Sequence, residues 1–158
     1  MMGACLEPAA YGLLVLDKPA GITSYDCVHH VKRISGEKRV GHCGTLDPLA
    51  EGVLLLLIGR ATRHQEAFLA MEKQYWFRAQ FGTQTDTGDR EGKCIQTLAV
   101  PVLDADRLQV ALSSLVGEHW QTPPRYSALK YKGKPYYHWA RRGIEIPRHP
   151  RPVLFPTV

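Results

Sequence analysis

GHCGTLDPLAEGVLLLLIG, residues 41–59, sets a glycine-rich turn directly ahead of the longest apolar run in the chain, Val53 to Ile58. A short apolar run bounded by turn residues reads as a buried strand. The stretch before it has no periodicity and holds Gly41, Gly44, Pro48 and Gly52, so Glu37 to Gly52 reads as one long structured loop. Loops of this length inside a domain commonly carry function. Asp47 stands between that turn and Pro48, which puts a charged group beside the core. Two uses compete for it. Its carboxylate can accept backbone N–H groups within its own turn, as Asp ahead of Pro commonly does. Alternatively, a carboxylate held rigidly by the following strand serves as nucleophile or general base, and His42, five residues upstream, offers a second polar group.

Working outward, GLLVL (12–16) reads as a buried strand that ends at the turn signal DKPAG. Ser24 is positioned to cap a helix that Gly36 stops, with Val28, Val31 and Ile34 on one side and Lys32 and Arg33 on its rim. On the other flank, 61–70 reads as a short helix. Gln74 to Phe81 reads as an aromatic strand, paired across GTQTDTGDREG with a return strand from Cys94 to Val100. Leu108, Ala111, Leu112 and Leu115 recur at i, i+3, i+4 and i+7, which predicts a helix capped by Asp104 and stopped at Gly117.

The bulk properties bound the function. A chain of 158 residues with 44% hydrophobic content fits one globular domain. Its net charge of +5 favours a polyanionic partner. The four cysteines, at 5, 27, 43 and 94, form no C-x-x-C and read as reduced thiols of a cytoplasmic protein. His42, Cys43 and His64 lack zinc-like spacing, GEKRVGHC lacks the Lys and Ser/Thr of a phosphate loop, and TDTGD does not match a calcium loop. The N-terminus has no secretory pattern, and the longest apolar run is too short to span a bilayer. From Gln121 onward, Arg125, Lys130, Lys132, Lys134, Arg141, Arg142, Arg148 and Arg151 interleave with Tyr126, Tyr131, Tyr136, Tyr137 and Trp139. Positive charge mixed with stacking faces suits single-stranded or looped RNA. The final PVLFPTV is apolar with no polar tail, as if a strand were cut before its neighbours, and suggests truncation.

The pieces LDKPAGITS (16–24), VGHCGTLDPLAEGVLLLLIGRATR (40–63), EKQYWFRAQFGTQTDTGD (72–89) and QTPPRYSALKYKGKPYYHWARRG (121–143) occur in the order and spacing of a known family. The chain resembles the TruB family of tRNA pseudouridine synthases from about residue 12 to 153.

That resemblance implies an α+β fold, with a mixed, mostly antiparallel sheet flanked by helices. It implies that residues 1–158 are the N-terminal portion of the catalytic domain, with 121–151 as an RNA-contacting loop region. The family's C-terminal strands, which carry a second tyrosine and an arginine that pairs with the catalytic aspartate, are missing, as is the small C-terminal RNA-binding domain. By the same resemblance Asp47 is the catalytic carboxylate, Tyr75 stacks on the flipped base and His42 contacts the rearranged RNA. Arg63 stands where many relatives carry lysine, a change that keeps the charge but alters hydrogen-bond geometry. The implied reaction converts a T-loop uridine of tRNA, position 55 by family analogy, to pseudouridine. It needs no metal and no other cofactor, and the expected partner is the tRNA T-arm, met by a cytoplasmic monomer. The competing expectation is a truncated, non-catalytic RNA-binding fragment of the same family, in which an aspartate without its arginine is misplaced.

Overall fold

The apolar run forms the strand it predicts, β3 (Gly52–Ile58), and this strand is the centre of a three-stranded antiparallel sheet. The computed structural model describes residues 11–158; Cys5 and the N-terminal stretch read above for targeting signals lie outside them. Two units are distinguished, one ending at Tyr75 and one running from Trp76 to Val158.

In the first unit β1 (Gly12–Lys18) pairs along the whole length of β3, with Leu14 opposite Leu56 and Leu16 opposite Leu54. The other edge of β3 takes β2 (Val40–His42). Side chains alternate across a pleated strand, so Leu14, Leu16, Leu54 and Leu56 share one face. Helix α1 (Ser24–Ser35) covers that face, and Cys27, Val28, Val40, Leu54 and Leu56 make the core with Ile22, Val31, Leu46 and Ile58 packed around it. Each fully buried aliphatic side chain of this set contributes about 1.5–3 kcal/mol. The helix ends at Gly36, whose φ of 68° places it in the left-handed region that glycine adopts without strain.

Three expectations for this unit are corrected. The loop from Glu37 to Gly52 contains β2, because the second edge of β3 has backbone groups that need partners; three residues, two of them Gly and His, carry too little strand propensity to announce it. The cap of α1 is Thr23, not Ser24. Thr23 and Asp26 form a reciprocal capping box, in which the Asp26 N–H donates to Thr23 Oγ1 at 3.1 Å and the Thr23 N–H to Asp26 Oδ2 at 2.8 Å. Ile34 is 83% exposed, and Cys27 takes the core position instead. The segment after β3 is helical as expected, but it begins as a 3-10 helix (Gly59–His64) before one α-turn, α2 (Gln65–Leu69).

The second unit holds short elements. Residues 74–80 form no ladder, so the expected strand there is absent; Cys94 onward pairs instead with the next residues along, as β4 (Thr83–Thr85) and β5 (Cys94–Thr97), with a bulge at Gln84/Thr85. Helix α3 (Ala105–Ser113) is capped by Asp104 as predicted, but it ends before Leu115, and Gly117 opens strand β6 (Gly117–Gln121). The hairpin β7 (Lys130–Tyr131) and β8 (Lys134–Pro135) leads into α4 (Tyr136–Ala140). The apolar stretch at 151–155 is strand β9 (Arg151–Phe155), which has a neighbour, since it pairs antiparallel with β6 over its whole length. All ladders among the described residues are antiparallel, and the chain is α+β. No described helix is long and apolar enough to cross a membrane.

Candidate active site

The segment between β2 and β3 is held on both sides of Asp47. Ahead of it, the Leu46 N–H donates to Ser24 Oγ at 2.9 Å, and Ser24 Oγ donates to the Leu46 carbonyl at 3.1 Å. Behind it, the Pro48 carbonyl accepts from the Gly21 N–H at 2.7 Å and from Lys18 Nζ at 3.3 Å. Lys18 is 0% exposed, and its Nζ also donates to the carbonyls of Pro19 and Ile22. A buried amine with three carbonyl acceptors is well satisfied, and it ties the DKPAG turn to the Asp47 loop.

Asp47 itself is exposed, and its carboxylate accepts no hydrogen bond among the described residues. The turn is closed by its backbone instead, with the Ala50 N–H donating to the Asp47 carbonyl at 3.0 Å. The use of Asp47 as a side-chain turn acceptor is therefore not what this loop shows. Its backbone is fixed and its carboxylate is left available.

His42 ends β2, and its Nδ1 lies 2.7 Å from the Gly44 carbonyl. A carbonyl only accepts, so Nδ1 carries the proton, and in the neutral ring Nε2 is an acceptor. Gln65, at the start of α2, donates through Nε2 to the His42 carbonyl at 2.8 Å. The 3-10 helix carrying Arg63 packs against β2, so the structure brings His42, Arg63 and Gln65 onto neighbouring elements. The Arg63 side chain is exposed. Tyr75 is 68% exposed, lies outside any helix or ladder, and makes no hydrogen bond to Asp47, His42 or Arg63. Two residues before it, the Lys73 side chain runs past Gly44, where a Cβ would meet its Cε at 4.0 Å, and its Nζ donates to the carbonyls of Leu69 and Met71. Cys43 is buried; burial pushes its thiol above the ordinary range, and the charge of Lys73 offsets this only in part. A thiol in that state is a poor nucleophile at neutral pH. No group of three or more His, Cys, Asp and Glu side chains placed to hold a metal ion occurs among the described residues.

Lys18, Ser24, Gln65 and Lys73 are the residues that sequence reasoning missed. For Lys18 a signal existed. It continues the alternation Leu14, Leu16 and so belongs to the core-facing row of β1.

In the second unit the basic and aromatic segment is ordered rather than a free arm. The turn of the β7–β8 hairpin places Lys132 and Gly133 at φ 48° and 78°. The Trp139 Nε1–H donates to the Tyr131 carbonyl at 3.2 Å, and the two rings meet edge to face at 6.2 Å. Lys132 lies over the Tyr131 ring at 5.4 Å, Lys134 over Trp139 at 5.9 Å and Arg141 over Tyr137 at 5.4 Å. These cations occupy part of the stacking surface that the composition promises. Tyr126 and Tyr137 remain exposed.

Comparison with known proteins adds to this geometry. The N-terminal domain of the TruB family pseudouridylate synthases matches residues 32–157. A tRNA pseudouridine synthase B of Endomicrobium trichonymphae is 45% identical over 142 residues, which cover 90% of this chain and 62% of that protein. One of Aromatoleum aromaticum, with the same name, is 47% identical over 142 residues, covering 90% of this chain and 46% of that protein. The chain thus spans between 46% and 62% of the length of these two relatives. Among solved structures, a chain of a Cbf5-Nop10-Gar1 complex is 28% identical, with a TM-score of 0.50, over 75% of this chain and 31% of that one.

Proposed function

The chain belongs to the TruB family of pseudouridylate synthases, and from that membership we propose that it isomerises a uridine in the T-loop of tRNA to pseudouridine, with Asp47 as the catalytic carboxylate. By the family resemblance the uridine is position 55, and we assign the chain the family's catalytic-domain fold. The observation that carries the proposal is the state of the Asp47 loop. Backbone at Leu46 and Pro48 is pinned on either side, while the carboxylate between them accepts no hydrogen bond from any described residue.

The reaction breaks the N1–C1′ bond and joins the same base to C1′ through C5. The C5 proton leaves to solvent and N1 gains one, so atoms balance within the substrate and water. No oxidant, reductant or energy source is called for. A single fixed carboxylate suffices for the steps available, which are attack on the sugar or the base, or removal of the ribose 2′ proton. Reaching the uridine requires flipping it out of its stacked loop, at a cost of a few kcal/mol that stacking on an aromatic residue offsets. Tyr75, exposed outside any ladder, supplies such a ring, His42 offers Nε2 as an acceptor, and the exposed Arg63 offers its guanidinium to phosphate. The segment 121–151 supplies cations and the Tyr126 and Tyr137 rings for the RNA backbone and loop.

The test is tritium release from a T-arm RNA labelled at C5 of its uridines, with Asp47→Asn run in parallel. Release by the unchanged chain is expected to vanish in Asp47→Asn, with RNA affinity kept within a few-fold. Loss of RNA binding in that variant would recast Asp47 as structural. Binding without release by the unchanged chain would leave a non-catalytic RNA-binding role.

A further inference from the structure

Ser24 occupies the first position of α1 but does not cap it, since Thr23 and Asp26 complete the capping box without it. Its hydroxyl is therefore free for another use. The side chain is 2% exposed, and both of its hydrogen-bonding capacities are spent on one residue 22 positions away, the residue immediately before Asp47. The Leu46 N–H donates to Oγ at 2.9 Å and Oγ–H donates to the Leu46 carbonyl at 3.1 Å, the pairing a neighbouring strand would give that backbone. The other side of Asp47 is held at the Pro48 carbonyl by Gly21 and Lys18. Residues 18–24 thus grip the loop on both sides of the carboxylate, and Ser24 is the only side chain among the described residues that hydrogen-bonds the Leu46 backbone.

We infer that Ser24 is a positioning residue, which acts through Leu46 to fix the Asp47 carboxylate against its substrate; this rests on the catalytic role proposed for Asp47. Without the hydroxyl, Leu46 loses both of these hydrogen bonds while Pro48 keeps its own. Upstream of Asp47 the backbone is then held no nearer than Cys43, whose N–H donates to the Leu55 carbonyl at 2.8 Å, and Leu46 keeps only its side-chain packing. Displacement of a reacting group by about 1 Å lowers turnover by up to roughly 100-fold. Substrate binding, which draws on surfaces away from this loop, is affected less.

Three substitutions and two readouts test this. Ser24→Ala deletes the hydroxyl and leaves the capping box in place, whereas Ser24→Thr and Ser24→Val are matched in shape and differ in the hydroxyl alone. Tritium release from the labelled T-arm RNA is expected to show kcat lowered roughly 10- to 100-fold in Ala, with KM within about threefold. Thr is expected to exceed Val by a comparable factor, and this pair decides the matter if Ala melts early. Amide hydrogen exchange is the second readout, with Leu46 at least about tenfold faster in Ala and Leu56 unchanged. Unchanged kcat in Ala, a loss confined to KM, Thr no better than Val, or unchanged exchange at Leu46 would each overturn the inference. If the unsubstituted chain releases no tritium, the proposed activity falls. The exchange arm then still decides whether Ser24 holds the loop, by Leu46 accelerating or not.

Discussion

Two residues four apart in the same loop have opposite fates. Among the described residues nothing hydrogen-bonds the Asp47 carboxylate, because the turn is closed by its own carbonyl. Cys43, by contrast, faces inward, and burial raises its thiol pKa. Of the two, the carboxylate is the group that solvent and substrate can reach. The thiols give a direct check. Cys94 is exposed while Cys27 and Cys43 are buried, so a brief pulse of iodoacetamide at pH 7.5 followed by peptide mass analysis is expected to label Cys94 well ahead of the other two. Early labelling of Cys43 would mean that the loop opens faster than its packing indicates. In the neutral ring of His42 the Gly44 carbonyl likewise fixes the proton on Nδ1 and leaves Nε2 as the acceptor.

At the scale of the element, α1 is placed by its first turn. The Thr23 hydroxyl and N–H both donate to the Asp26 carboxylate, and these bonds hold its pKa below the ordinary value of 3.8. A carboxylate with a depressed folded pKa adds stability that is present above its unfolded pKa and is lost as pH falls through the folded one. The difference in melting temperature between the unsubstituted chain and Asp26→Asn is accordingly expected to be full at pH 6 and to close as pH drops below 3.8. A difference that persists at pH 2 would assign the effect to packing. Thr23→Ala is expected to cost about 1 kcal/mol in urea unfolding near neutral pH, since it removes the acceptor for the Asp26 N–H. Because α1 also presents Ser24 to the loop, fraying its first turn disturbs the support for Asp47 as well as the helix.

Among the described residues of the whole molecule, the buried aliphatic and cysteine side chains lie between Cys27 and Leu57, all within the first unit, and the second unit buries Pro123. The second unit is built from two-stranded ladders and short helices whose apolar side chains stay largely accessible. Two-stranded ladders have little stability of their own. Native-state hydrogen exchange is therefore expected to find its slowest amides in β1, β3 and α1, with the ladders of the second unit exchanging at least about tenfold faster. Equal protection in both units would show a cooperativity that the packing within each does not supply.

The strongest sequence signals were local. The apolar runs of β3 and β1, the glycine stop at Gly36 and the Asp104 cap of α3 each depend on neighbours in the chain, and all were legible, though in β1 Leu13 and Val15 are exposed and only alternate residues face the core. The motif around Asp47 was legible too, because a Gly-rich turn and an Asp-Pro pair impose their geometry over a few residues. What stayed hidden depends on partners far along the chain. β2 exists because β3 has a second edge, Lys18 is tied to the Asp47 loop through the Pro48 carbonyl 30 residues away, and Ser24 is diverted from capping by Leu46. The strand expected at 74–81 failed for the converse reason, since aromatic residues favour a strand only where a partner strand is present. Local propensity and spacing determined which elements form and where the carboxylate lies in the chain. Only tertiary structure decided which backbone groups pair across long separations, and so which side chains hold that carboxylate in place.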